Sequence, residues 1–311
     1  MKTQLAATTE TGATELPVRG VSTQHPAPNT QNSGLRTGRW LGPATLATIA
    51  LVALLAGWIA PFDPSRSVGP PLQPPSVRHW LGTDDLGRDV FSNVVHGGRI
   101  SLLVGLVAAL TSGLLGTLVG GLAGYFGRLL DDALMRLTEL FQVVPRFFLA
   151  LIVTALFGPS VVVVTLLLGL TFWPITARLL RAEVLSLRER DFVQAARALG
   201  ASDGRVLLRH VLPNALPVVV VATMLQVGSA ILVEAGLGFL GLSDRSVVSW
   251  GNLLNGAQPL IRVAWWTAVF PGLAITLTVL AANLSGDSLN AAAGGTGSAR
   301  SARTRLGSPV R

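Results

Sequence analysis

Cysteine is absent from all 311 residues, so there can be no disulfide, no thiolate nucleophile and no Cys-ligated metal. Charge is scarce as well: only 13% of residues are Asp, Glu, Lys or Arg, about half the share carried by an ordinary soluble domain. With half of the residues hydrophobic and a mean hydropathy of +0.55, this is the composition of an integral membrane protein. Lysine occurs once, at Lys2, so the basic complement is otherwise arginine. The net charge of +8 sits largely outside the apolar runs, where it reports orientation and contact with anionic lipid rather than with nucleic acid. The four histidines, His25, His79, His96 and His210, are scattered, and no two stand at metal-binding spacing. No GxxxxGK[ST] loop is present, so the chain carries no such nucleotide site, and the runs offer no nucleophile and base with which to build an intramembrane enzyme.

What is present is organised around Arg178 to Pro217, which carries much of the charge and lies between two long apolar runs. Phe192, Ala195, Ala196 and Leu199 recur at helical spacing, which predicts a helix over Glu189 to Leu199 that stops at Gly200. Ser202 or Asp203 can cap a second helix from about Gly204 to Leu212, followed by Pro213 and Pro217. The expectation is a short helix-turn-helix outside the bilayer, with Ala195, Ala196 and Gly200 leaving a surface bare enough for another protein to approach. A DNA-reading motif has the same outline, but Val206, Leu207 and Leu208 stand where base-reading polar groups would be needed.

In chain order, residues 1–39 read as a disordered cytoplasmic tail, and 40–61 as a first transmembrane helix long enough to cross ~30 Å of hydrocarbon. Residues 62–98 read as an external loop containing LGTDDLGRD. Its His79, Asp84, Asp85, Asp89 and His96 fit no ligand set, and Gly82, Gly87 and the aspartates suit turns and helix caps. The core spans 99–287, with crossings at about 100–126, 137–157, 160–180, 214–234 and 263–286 and the charged loop at 181–213. In the second crossing Gly105, Gly113, Gly116, Gly120, Gly121 and Gly124 recur at spacing that lets helix backbones approach. Phe147 to Ala177 is uncharged and as one helix would measure ~46 Å, too long for one crossing, so Gly158-Pro159 divides it. The third crossing then draws Glu139 and Arg146 toward the membrane on one helix face. Gln226 and Glu234 are polar groups at depth, candidates for the pathway or for bundle hydrogen bonds. Trp250, Trp265 and Trp266 suit an interface, and 288–311 read as a second cytoplasmic tail. The central loop holds seven arginines, whereas Phe62 to His96 holds three against four aspartates, which orients the loop and both termini toward the cytoplasm. The fold class expected is an all-α membrane protein with six transmembrane helices.

The two alanines, Gly200 and the later Leu212-Pro213 resemble the EAA loop of binding-protein-dependent ABC importer permeases. LGTDDLGRD, RHVLPNALP, EAGLGFLGL and FPGLAITLTVLAANLSGD resemble the C-type permease of the dipeptide, oligopeptide and nickel branch. The resemblance implies a type I ABC importer permease fold. It also implies that Gln194, Ala195, Ala196, Gly200, Ala201, Ser202, Asp203, Leu212 and Pro213 form a coupling helix and its flank, seated in a groove of the ATPase. Gln194 stands where the family often has glutamate. The implied partners are a homologous permease forming a heterodimer, two cytoplasmic ATPases holding ATP and Mg, an external solute-binding protein, and membrane lipid. No cofactor or metal is expected on this chain. The implied function is transport rather than catalysis, with half of a pathway for di- or oligopeptides in a bacterial or archaeal plasma membrane. Nickel chelates or another solute are alternatives for the same machinery, and a membrane receptor or scaffold is the rival class.

Overall fold

The computed structural model describes residues 40–305, with side chains described through residue 291, so the first tail lies outside the described residues. The described chain is helical: α1 (Leu41–Leu54), α2 (Ala56–Ile59), α3 (Val90–Phe126), α4 (Arg128–Val143), α5 (Arg146–Phe157), α6 (Val161–Arg188), α7 (Asp191–Ala198), α8 (Asp203–Val206), α9 (Leu212–Phe239), α10 (Trp250–Ala257) and α11 (Trp266–Arg305). Among the described residues, four helices are long and apolar enough to cross a membrane: Val90–Phe126, Val161–Arg188, Asp203–Phe239 and Trp266–Ala291. The pair α4 and α5 makes a fifth, bent by 72°. Helix α1, at 14 residues, spans only ~21 Å.

The departures from straight crossings can be traced to particular residues. The Arg99 guanidinium donates to the carbonyls of Ala53 and Leu54, both at 2.8 Å, and these taken carbonyls divide α1 from α2. Pro145, at the junction of α4 and α5, lacks the amide that a continuous helix would need. Glu139 and Arg146 therefore lie on different helices, not on one face of a single crossing. The Arg146 guanidinium lies 5.0 Å from the centroid of the Phe172 ring, whereas Glu139 is exposed. α11 runs on through Arg305, into the stretch expected to be a disordered tail.

Helix α3 is the axis of the bundle. Asp89 caps its start, accepting from the Ser92 amide at 2.8 Å, so the helix begins well before the uncharged run. Along one face Gly116, Gly120 and Gly124 meet α6 backbone to backbone. A methyl group on Gly116 would lie 2.9 Å from the Trp173 carbonyl oxygen, and one on Gly124 would lie 2.9 Å from that of Arg181. On another face Gly105 receives Ile231 of α9. The end of α3 opposite Phe126 is covered by residues 62–89, whose Gly82 and Gly87 have φ of 80° and 71°. There the buried His79 ring nitrogen Nδ1 sits 3.0 Å from the Asp89 carboxylate. Trp250 and Trp266 are internal rather than interfacial, with their indole N–H groups donating to Val94 and Thr83 carbonyls, whereas Trp265 is exposed.

Candidate functional site

The charged central loop is built from α7, a turn at Gly200, and α8. Helix α7 ends in a Schellman motif: the Gly200 amide donates to the Arg197 carbonyl at 2.9 Å and the Ala201 amide to the Ala196 carbonyl at 3.1 Å. This geometry puts Gly200 at φ 80°, a conformation in which glycine avoids a penalty of about 1 kcal/mol. Ser202 takes the N-cap position of α8, but its side chain makes no capping bond. The second helix does not stop at Leu212. A π turn over Leu207–Val211 carries it directly into α9, with Leu212 and Pro213 in the first turn of that helix, so the loop's second half is the end of a crossing helix.

The faces of the loop differ from those predicted by spacing. Val193, Val206, Leu207 and Val211 are buried in one apolar cluster with Leu180, Val184, Leu187 and Tyr125, and Ala196, Ala201 and Leu212 pack against it. Gln194, Ala195, Gly200, Ser202 and Asp203 face outward. So do three large apolar side chains: Leu199 is 89% exposed, Leu208 67% and Phe192 41%. Phe192 and Leu199, assigned by periodicity to the same stripe as Ala196, lie on the open side. The outer surface is therefore not bare: it carries three large apolar side chains among polar ones.

The loop is held to the bundle by Tyr125 at the end of α3. Its hydroxyl donates to the Asp203 carboxylate at 2.8 Å, and the Arg197 guanidinium lies 5.2 Å from its ring centroid. Arg188 adds a bond to the Gly124 carbonyl at 3.2 Å. A further tie joins α4 to α6, where Arg181 makes two bonds to Asp131, at 2.5 and 2.6 Å. Asp203 thus acts through Tyr125 rather than as a cap. Spacing along α7 and α8 held no sign of this brace, because Tyr125 lies 78 residues away from Asp203.

Two polar nodes occupy the bundle interior. Gln226 of α9 accepts from the Ser112 hydroxyl of α3 and donates to Thr176 of α6 at 2.5 Å, joining three helices. Glu234, 2% exposed, accepts from the Ser101 hydroxyl at 3.1 Å through Oε2, and its Oε1 has no partner among the described residues. Ser101 in turn accepts from the Trp250 amide at 3.2 Å, which links Glu234 to the start of α10. Among the described residues no group of three or more His, Asp or Glu is placed to hold a metal ion.

Residues 116–293 match the family described as binding-protein-dependent transport system inner membrane component. The chain belongs to this family. It is a permease subunit of a binding-protein-dependent ABC importer, a component of membrane transport rather than an enzyme. The permease is 42% identical over 255 residues to the dipeptide transport system permease protein DppC of Alkalihalophilus pseudofirmus, an alignment covering 80% of this chain and 83% of that protein. It is 43% identical over 218 residues to a protein named as a peptide permease from Brucella suis, covering 69% and 72%. In fold it resembles a chain of the inward-facing MetNI methionine ABC transporter, with a TM-score of 0.52 at 20% identity, covering 65% of this chain and 96% of that one. The family match begins inside α3, so it takes in Tyr125, the whole central loop, Gln226 and Glu234, while Ser101 and Ser112 lie just ahead of it.

Proposed function

We propose that this permease forms half of the membrane pathway of a peptide importer. The observation that carries the mechanism is the two-sided central loop. Its inner face is packed into the cluster around Tyr125, and its outer face leaves Phe192, Leu199 and Leu208 open. Apolar side chains this exposed on a water-facing loop favour a protein partner. In an importer that partner is a cytoplasmic ATPase, with ATP and Mg held on its side of the contact. Because α8 runs straight into α9, a push on the loop passes along a crossing helix toward Gln226 and Glu234. ATP binding would favour one of two bundle states by its differential interaction with them.

The rest of the assembly follows the same reading. A homologous permease completes the pathway, a second ATPase serves it, and a solute-binding protein delivers cargo at the far end of α3. The chain crosses the plasma membrane six times, with α1–α2 as the first crossing and the loop and both termini in the cytoplasm. The relatives named for dipeptides and peptides support a short peptide as cargo. Reconstitution in liposomes tests this: the permease alone moves nothing, and adding the sister permease, both ATPases and loaded binding protein gives ATP-dependent uptake of a dipeptide. Uptake by this chain alone would refute the half-pathway reading. A complete assembly that carries a nickel chelate and no peptide would refute the cargo.

A further inference from the structure

At the end of the bundle opposite the central loop, two adjoining cavities share Arg88, Asn93 and Asn252 as lining residues. The larger, about 330 Å³, also contains Arg245, and the smaller contains Asp85. Most polar groups of residues 62–89 are used internally: Asp84 takes the Leu86 and Arg88 amides and the Arg88 guanidinium, and Asp89 takes His79 and Ser92. The cavity residues differ. Asn93 is 2% exposed, and its amide orientation follows from Nδ2 donating to the Asp89 carbonyl at 3.1 Å. Its Oδ1 is left with no hydrogen-bond partner among the described residues. Both amide hydrogens of Asn252 are taken, by the Asp244 and Val247 carbonyls at 2.6 and 2.9 Å, so toward a ligand it too can offer only its oxygen. Asp85 and Arg245 are exposed and make no ion pair or side-chain hydrogen bond among the described residues.

We infer that these cavities are a binding site for a small zwitterion. An ammonium group has three donors and no acceptor, and it suits Asp85 with the Asn93 and Asn252 oxygens. A carboxylate suits Arg245, with Arg88 beside it. A buried acceptor without a donor costs about 1–3 kcal/mol, so a ligand ammonium relieves a penalty already present at Asn93. A short free peptide is a cargo class that carries both charges, an ammonium at one end and a carboxylate at the other. The inference therefore rests on the peptide reading above and adds to it a receiving site on the permease itself, separate from Gln226 and Glu234. A site here would hold a peptide where the chain lies farthest from the ATPase contact, ahead of the bundle interior.

The probe is dialanine, with N-acetyl-dialanine and dialanine amide as controls. Its binding is measured by calorimetry to the permease in lipid nanodiscs, in the assembled importer without binding protein. Saturable binding of dialanine is expected, weakened about tenfold by either cap. Asp85→Asn is expected to abolish the effect of the amino cap, and Arg245→Gln that of the carboxyl cap. Both side chains are exposed, so neither variant threatens folding. Three results would overturn the inference: no saturable binding, equal affinity for capped and free forms, or no change in either variant. Uptake of dialanine by the complete importer is measured in parallel. Uptake without zwitterion binding here refutes the site and leaves the peptide reading intact, whereas cap-sensitive binding without uptake refutes the peptide reading and leaves the site.

Discussion

Tyr125→Phe isolates the brace that holds the central loop. It removes one hydrogen bond, from the phenol to Asp203 at 2.8 Å, and keeps the ring beneath Arg197. A bond to a charged acceptor is worth about 1.5–3 kcal/mol, and because Asp203 is exposed the lower end applies. A loss of about 1.5 kcal/mol is about a tenfold shift in the equilibrium between seated and lifted loop. Tyr125→Leu also removes the ring, adding about 0.5–1 kcal/mol for an exposed cation–π contact. The assay is amide hydrogen exchange of residues 191–206 in the permease in nanodiscs. Exchange there should quicken about tenfold in the Phe variant and further in the Leu variant, while residues around Gln226 keep wild-type protection. A double-mutant cycle with Asp203→Ala separates the pair from its surroundings. In the full importer, the peptide moved per ATP hydrolysed should fall in the same order, because a loosened lever transmits less of the ATPase closure. If the two substitutions are additive, or if exchange of 191–206 is unchanged in Tyr125→Phe, the brace is not what seats the loop.

Gly200→Ala should slacken the end of α7 by about 1 kcal/mol through left-handed strain, although open space surrounds the site, and Gly200→Asn should be milder. Equal exchange at Ala201 in all three proteins would show that the turn tolerates any residue. Gly120→Leu should lower thermal stability by about 1–3 kcal/mol or more, since its side chain would enter the backbone of α6 at Ala177; a wild-type melting temperature in detergent would contradict the close approach. Single cysteines in this cysteine-free chain report topology. Ser202→Cys should be shielded from an impermeant thiol reagent in intact cells, while Ser76→Cys and Ser246→Cys react. Ser246 is the exposed choice on its loop because Ser243 is buried, and external labelling of Ser202→Cys would invert the orientation.

Much of this protein is legible in its amino-acid order because the bilayer imposes one-dimensional rules. Long uncharged runs mark crossings, and glycines at three- to four-residue spacing mark the faces of α3 that meet α6 and α9. Short motifs carried the family for a similar reason, since residues such as Gly200 serve local backbone geometry that neighbouring residues reveal. Tertiary structure alone decided everything that depends on which distant groups meet. The break between α1 and α2 exists because Arg99, some 45 residues on, reaches the freed carbonyls. Periodicity put Phe192 and Leu199 at one helical spacing with Ala195 and Ala196 without saying which residues would be buried. Which stripe is buried was set instead by where Tyr125, Val184 and Val206 converge, and that left those two side chains in the open. Gln226 could be seen in the sequence as a polar residue at depth. Its partners could not, because Ser112 and Thr176 come within hydrogen-bond reach only when three helices pack, and hydrogen bonding depends on distance in space rather than along the chain.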